Sequence, residues 1–284
     1  MWKRIVMNST ICCILCASVL AEPFGDKTML NLHDSAQIQQ RRPILIAHRG
    51  GVVTFEVPEC SMAAVDQAAA VGYDMVELDV RESKDHEPIV FHDSSLLEDC
   101  GVDAAIGDLT SIEISEIRYT ANNEPISTLA EAIRLCRKRE LGVMLDIKAG
   151  DSDAFFKRIC EIIDQYVMSD STCCINGAPA IRAGLEGRAM LRVPDDVYAA
   201  MREGKAADLT GLFWFGLPQN LPTDMVAKLR AAGALVIPGV NIFRYDAATH
   251  RADALADIER LKVAGVDGFQ IDSAYQDYFG MPLP

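Results

Sequence analysis

The chain has 284 residues, half of them apolar, which is enough to bury a large core within one domain. Its 41 acidic residues outnumber 27 basic ones, for a formal net charge of −14, so its surface repels nucleic acid and anionic membranes. A protein this acidic that handles a phosphate ester needs a local positive feature, and a metal ion held by carboxylates would serve.

In chain order, the first segment reads as an export signal. Trp2-Lys3-Arg4 supplies the positive start, a short apolar run follows, and Val19-Leu20-Ala21 offers small residues for cleavage before Glu22. Residues 1–21 are therefore expected to be a signal peptide, and the mature chain to be exported to a periplasm or secreted. That run is too short to span a bilayer comfortably, and no later stretch is apolar for the ~20 residues a spanning helix needs, so no stable membrane insertion is expected. Cys12, Cys13 and Cys16 would leave with the signal. The six cysteines that remain show no zinc-type spacing, and export permits disulfides without requiring them. Residues 22–42 read as a loosely ordered lead-in to one domain over residues 43–284.

From Pro43 onward, short aliphatic runs alternate with stretches of helical period. Strands are predicted over residues 44–48, 75–80, 88–92, 143–148, 173–176, 189–193, 211–215, 235–240 and 267–272. Helices are predicted over residues 61–71, 129–139, 153–166, 223–232 and 253–264, several ending near a glycine that opens the next strand. This alternation predicts a parallel sheet, and at this length a closed eight-stranded α/β barrel. Nine strands are one too many, so residues 211–215 or 189–193 are expected to be accessory. With 88–92 as a barrel strand, residues 81–87 must cross from one face to the other without a helix. Seven extended residues span roughly 23 Å, feasible but short for a parallel crossover.

In such a barrel, chemistry collects where the strands end. His48 and Arg49 end the first strand, Glu77 and Asp79 the second, His92 and Asp93 the third, Asp146 and Lys148 the fourth. Residues two apart on a strand point to the same side, so Glu77 pairs with Asp79 and Asp146 with Lys148. Converging carboxylates without thiolates or a histidine cluster favour a hard cation, Mg²⁺ or Ca²⁺. Two of only five histidines lie at these strand ends, where a facing pair can act as acid and base across one bond. Arg49 offers a forked grip on phosphate oxygens. Trp214, in "LFWFG", is a core residue or a rim residue able to receive a choline group by cation–π attraction.

The segments "AHRGG", "VPECSMAAVDQAAAVGYDMVELDVRESKDHEPIVFHD", "ISTLAEAI", "LDIK" and "VDGFQID" together resemble the glycerophosphodiester phosphodiesterase family. The resemblance runs through nearly all of residues 43–272. It implies a TIM barrel of a single domain with a small insertion after the third strand, residues 94–127, placed to bind the glycerol end of a small-molecule phosphodiester substrate. Carried over by position, it implies His48 and His92 as the catalytic pair, with His48 the acid, and Arg49 and Lys148 as phosphate contacts. It implies Glu77, Asp79 and Asp146 as metal ligands, with Glu59 joining the metal site. Cys60 replaces the family's usual asparagine, and Asp146 its usual glutamate, shortening that ligand's reach by one methylene. The implied activity is metal-dependent hydrolysis of glycerophosphodiesters to glycerol 3-phosphate and an alcohol. Two other readings stand beside it: a phospholipase-type phosphodiesterase on phospholipids, and a non-catalytic phosphate-ester binding protein.

Overall fold

The structure, a computed structural model, describes residues 28–284, so the segment read as a signal peptide lies outside the described residues. Among the described residues there are ten strands: β1 (Ile44–Ala47), β2 (Met75–Glu82), β3 (Pro88–Val90), β4 (Ser127–Thr128), β5 (Gly142–Ala149), β6 (Thr172–Cys174), β7 (Met190–Arg192), β8 (Leu212–Gly216), β9 (Leu235–Val240) and β10 (Gly268–Ile271). Eight of them pair in parallel in the order β1, β10, β9, β8, β7, β6, β5, β2, and a β1–β2 pairing closes the ring. The side-chain period of two sorts each strand. Ile44, Ile46, Met75, Met144, Cys173, Met190, Phe213 and Ile237 fill the barrel interior. Their neighbours, among them Ala47, Val76, Leu78, Val143 and Leu145, face outward under the helices.

The surplus strand is the third, a correction to the sequence expectation. β3 runs antiparallel to β2, with Val80 opposite Val90 and Glu82 opposite Pro88. Residues 81–87 do not cross the barrel but make a hairpin, closed by the Ser83 amide on the Glu87 carbonyl at 3.1 Å. The physical reason is length, since a parallel crossover needs about a dozen residues or more. Both segments suspected of being accessory are barrel strands, β7 and β8. The insertion therefore grows from the second barrel strand. There β3 and β4 extend the sheet, and Ile89, Phe91, Leu96, Ile106, Ile114, Tyr119 and Ile126 form a small core of their own.

The lead-in also differs from expectation over its described part. Ser35–Arg41 is a helix, capped by the Asp34 carboxylate on the amides of Ala36 and Gln37. Leu30, Leu32 and Ile38 are buried and pack with the barrel's inner cluster. The Leu32 amide donates to the Asp170 carbonyl at 2.8 Å, and the Ser171 hydroxyl to the Leu30 carbonyl at 2.6 Å. Three spaced aliphatic side chains here stop the end of the barrel opposite the strand C-termini.

All six cysteines among the described residues are free thiols. Trp214 is buried in the outer layer and packs against Tyr198, so it is a core residue and not a cation–π rim. No helix among the described residues is long and apolar enough to cross a membrane.

Candidate active site

The turn after β1 decides how the site is built. Arg49, Gly50 and Gly51 have φ of 55°, 82° and 146°; the two glycines tolerate theirs without strain, while Arg49 takes the left-handed conformation as a non-glycine. A Cβ on Gly51 would lie 2.1 Å from the Ala64 carbonyl oxygen, and one on Gly50 2.7 Å from the Cys60 Cα. The chain thus folds flat against residues 60–65. The Arg49 amide then donates to Glu77 Oε2 at 2.8 Å and the Gly50 amide to the Glu77 carbonyl at 2.6 Å.

His48 is almost buried, and its Nδ1 lies 2.5 Å from Asp272 Oδ1 at the end of β10. Asp272 Oδ2 accepts the Ile242 amide at 2.6 Å. Burial works to raise the Asp272 carboxyl, but the hydrogen bond and charge of His48 more than offset it and hold the carboxyl below its ordinary range. With Nδ1 engaged, the free nitrogen is Nε2, which sits 4.0 Å from Glu77 Oε2. Phe243 stacks on the imidazole with ring centroids 6.1 Å apart.

His92 is pinned in the same sense. Its Nδ1 meets Asp93 Oδ1 at 2.7 Å and Glu59 Oε1 at 3.2 Å, and Arg81 holds its carbonyl with two guanidinium bonds of 2.6 and 3.1 Å. The bond to Glu59 raises the His92 imidazole above its ordinary value, against burial and with help from Asp79. The other Glu59 oxygen takes Arg49 Nη1 at 2.5 Å. Burial acts to raise Glu59, yet His92 and Arg49 together hold it below the usual carboxylate range. Glu59 therefore links Arg49 to His92. Its oxygens are spoken for, and it stands in a group with His92 and Asp93 instead of with the other three acids expected at the metal.

Those three do converge. Carboxylate oxygens of Glu77, Asp79 and Asp146 lie within 4.8 Å of one another, with Glu77 and Asp79 buried. Burial, then repulsion from Asp79 and Asp146, pushes the Glu77 carboxyl far above the ordinary range. Glu77 Oε1 is buried with no hydrogen-bond partner. Lys148 Nζ answers part of the charge, at 3.1 Å from Asp79 and 2.7 Å from Asp146. Burial opposes the ammonium, but these two carboxylates overcome it and raise Lys148 above its usual value. Three oxygen donors, one of them unsatisfied, against a single ammonium fit a hard divalent cation. Cys60, standing where asparagine was expected, directs its buried Sγ to Asp79 Oδ2 at 3.4 Å.

Two further contributors carried no pattern that sequence reasoning could use. Asn176, just past β6, donates to Asp146 Oδ1 at 2.8 Å and accepts the Ile147 amide at 2.6 Å, holding the shortened ligand in place. Phe243, just past β9, covers His48. A cleft of about 340 Å³ opens beside it, lined by His48, Arg49, Val53, Glu59, Phe243 and Asp272 among others.

Residues 48–179 match the glycerophosphoryl diester phosphodiesterase family. Glycerophosphodiester phosphodiesterase 1 of Mus musculus is 31% identical over 138 residues, 45% of this chain and 41% of that protein. The chain spans about two fifths or less of the length of the curated relatives of that name. A glycerophosphoryl diester phosphodiesterase from Parabacteroides distasonis superposes with a TM-score of 0.68 at 19% identity, covering 90% of this chain and 95% of the other. An Oleispira antarctica phosphodiesterase in complex with the product sn-glycerol-3-phosphate gives 0.65 at 20% identity, covering 86% and 99%. These likenesses at under 25% identity establish the barrel, and the sequence match at 48–179 spans His48, Arg49, Glu59, Glu77, Asp79, His92, Asp146 and Lys148 but neither Phe243 nor Asp272. Residues 48–179, a little under half of the chain, are thus similar to the glycerophosphoryl diester phosphodiesterase family, and the barrel as a whole shares the fold of solved structures of that name.

Proposed function

We propose that this protein hydrolyses glycerophosphodiesters to glycerol 3-phosphate and an alcohol, using His48 and His92 as an acid–base pair beside a divalent cation. One observation carries the reading. Each imidazole has its Nδ1 committed to a carboxylate, Asp272 for His48 and Asp93 with Glu59 for His92, which leaves each Nε2 for a proton in transit.

Glu77, Asp79 and Asp146 would hold Mg²⁺ or Ca²⁺, which when bound draws charge from the phosphoryl oxygens. Arg49 Nη1 is held by Glu59 on the cleft wall, so its fork is aimed before substrate arrives. Lys148 adds a second positive charge, held between Asp79 and Asp146. A water, or the substrate's own neighbouring hydroxyl, attacks phosphorus and passes its proton to one imidazole; on the hydroxyl route the product is a cyclic phosphate, which a water then opens to glycerol 3-phosphate. The bond from phosphorus to the alcohol oxygen breaks, and the other imidazole protonates that oxygen. Positioned proton transfer of this kind contributes about 10²- to 10⁴-fold.

One feature favours a second reading in which the substrate carries an acyl chain. Phe55 is 98% exposed in the loop that also supplies Val53 to the cleft, and Phe243 and Ile242 are exposed on its other side. An apolar rim suits a lipid.

The deciding experiment assays the purified protein on glycerophosphocholine, glycerophosphoethanolamine and a lysophospholipid, with Mg²⁺, with Ca²⁺ and with chelator. Release of glycerol 3-phosphate that requires a divalent ion and disappears in His92→Ala supports the first reading. Faster turnover of the lysophospholipid favours the second. No hydrolysis of any diester under any ion leaves a phosphate-ester binder.

A further inference from the structure

The mouth of the barrel holds a second cavity, of about 330 Å³, over the ends of β6 to β9. Its walls include Asn176, Arg192, Phe215, Asn241 and Arg244. In a chain of net charge −14, two arginines around one cavity run against the trend. We propose that this cavity receives the departing alcohol, and that Arg192 and Arg244 make it select an alcohol bearing a carboxylate or another anionic group. The inference rests on the phosphodiesterase reading above and names the substrate class within it.

Position comes first. Asn176 borders the cavity and also bonds Asp146 at 2.8 Å, so the space adjoins the carboxylate cluster directly. On the other flank, the Arg244 guanidinium lies 4.2 Å over the ring of Phe243, which itself stacks on His48. A phosphate held between His48 and Asp146 therefore has this cavity beside it. The insertion beyond β2 occupies the opposite side of the ring, which leaves β6 to β9 for the second ester arm.

Chemistry comes next. Arg192 stands on the interior row of β7, where β2 carries its carboxylates. Its Nε is fixed on the Phe215 carbonyl at 3.2 Å and its Nη2 pairs with Asp195, itself 79% exposed outside the cavity. Nη1 points toward Gly177, 3.5 Å from where a Cβ would stand there, and has no hydrogen-bond partner among the described residues. Arg244 has no acidic partner among the described residues, stacks on Phe243 and lines the cavity. Gly239 keeps the wall open, since a Cβ would come within 3.0 Å of Phe215 Cζ and Gln270 Oε1. Arg192 Nη1 and the Arg244 guanidinium, both bordering one space, match an anionic group such as a carboxylate.

Glycerophosphoserine and glycerophosphoethanolamine differ by one carboxylate, so their kcat/KM ratio reads this subsite. The native protein with a divalent ion is expected to favour the serine diester about tenfold or more. Arg244→Gln, at an exposed position, is expected to bring the ratio toward one mainly by raising KM for the serine diester, and Arg244→Lys to keep part of it. Arg192→Lys should lower the ratio as well, by removing the Nη1 donor that borders the cavity. A native ratio of one or below, or a ratio that Arg244→Gln leaves unchanged, overturns the inference while the phosphodiesterase reading stands. If neither diester is turned over, that reading has failed, and calorimetric binding of the two diesters still decides the subsite. Tighter binding of the serine diester that is lost in Arg244→Gln supports it, and equal binding overturns it.

Discussion

The two halves of the barrel mouth are built on opposite principles. On the side of β1, β2 and β5, nearly every polar side chain is tied to another: His48 to Asp272, Arg49 to Glu59, Glu59 to His92, Lys148 to Asp79 and Asp146. On the side of β6 to β9, Asn176 and Arg192 are tied as well but border open space, and among the described residues Arg244 is held by a ring alone. A reacting centre needs groups that do not move, because a small misplacement costs orders of magnitude in rate. A specificity pocket needs groups left unsatisfied until the right ligand pairs with them. On the readings proposed above, one rim would separate rate from choice.

Mutations break that comparison in order of size. His48→Ala and His92→Ala should each cut turnover by about 10²- to 10⁴-fold in a steady-state assay, with substrate affinity by calorimetry little changed. A loss confined to KM would remove both from proton transfer.

The carboxylate cluster comes second. In chelated protein, the raised Glu77 group confers stability that is fully present below the ordinary glutamate value and is lost as pH rises through its elevated folded value. Saturating divalent ion should restore about 2.7 kcal/mol at a hundredfold excess over Kd, read as a rise in Tm. Glu77→Gln should raise Tm in chelator at neutral pH and abolish the ion's effect. An unchanged response to the ion would move the site elsewhere.

Gly51→Ala tests the turn that presses β1 onto the first helix. With φ of 146° and only 2.1 Å to the Ala64 oxygen, it should cost about 1–3 kcal/mol or more in denaturant unfolding and lower turnover through His48. A neutral Gly51→Ala would mean the turn has room to spare.

The smallest effect sharpens the link between Arg49 and His92. Glu59→Gln removes the bond that raises His92, so its imidazole should titrate at lower pH by NMR in chelated protein. The stability lost by this substitution should be greatest below the ordinary histidine value and fade as pH rises through the folded His92 value. A His92 titration unmoved by Glu59→Gln would leave Asp79 and Asp93 as its controlling partners.

The strand ends were legible because a period of two is enough to put Glu77 beside Asp79 and Asp146 beside Lys148 on an interior row. Strand direction was not, since alternation looks the same in both senses, and only the seven-residue reach from 81 to 87 argued against a crossover. Asn176 and Phe243 matter through residues far away in the chain, Asp146 and His48, and no local pattern announces such partnerships. Leu30, Leu32 and Ile38 lacked a clean helical or strand period, so their role as a stopper emerged only from the barrel they close.

The hairpin nature of β3 mounts the two histidines on different supports. His48 is bolted to the closed ring, whereas His92 rides on an appendage with a hydrophobic nucleus of its own. Any remodelling of that appendage also nudges His92. On the acid–base reading proposed above, a change of the appendage to suit another substrate and a change in catalytic timing would be mechanically geared to each other through a single peptide lever.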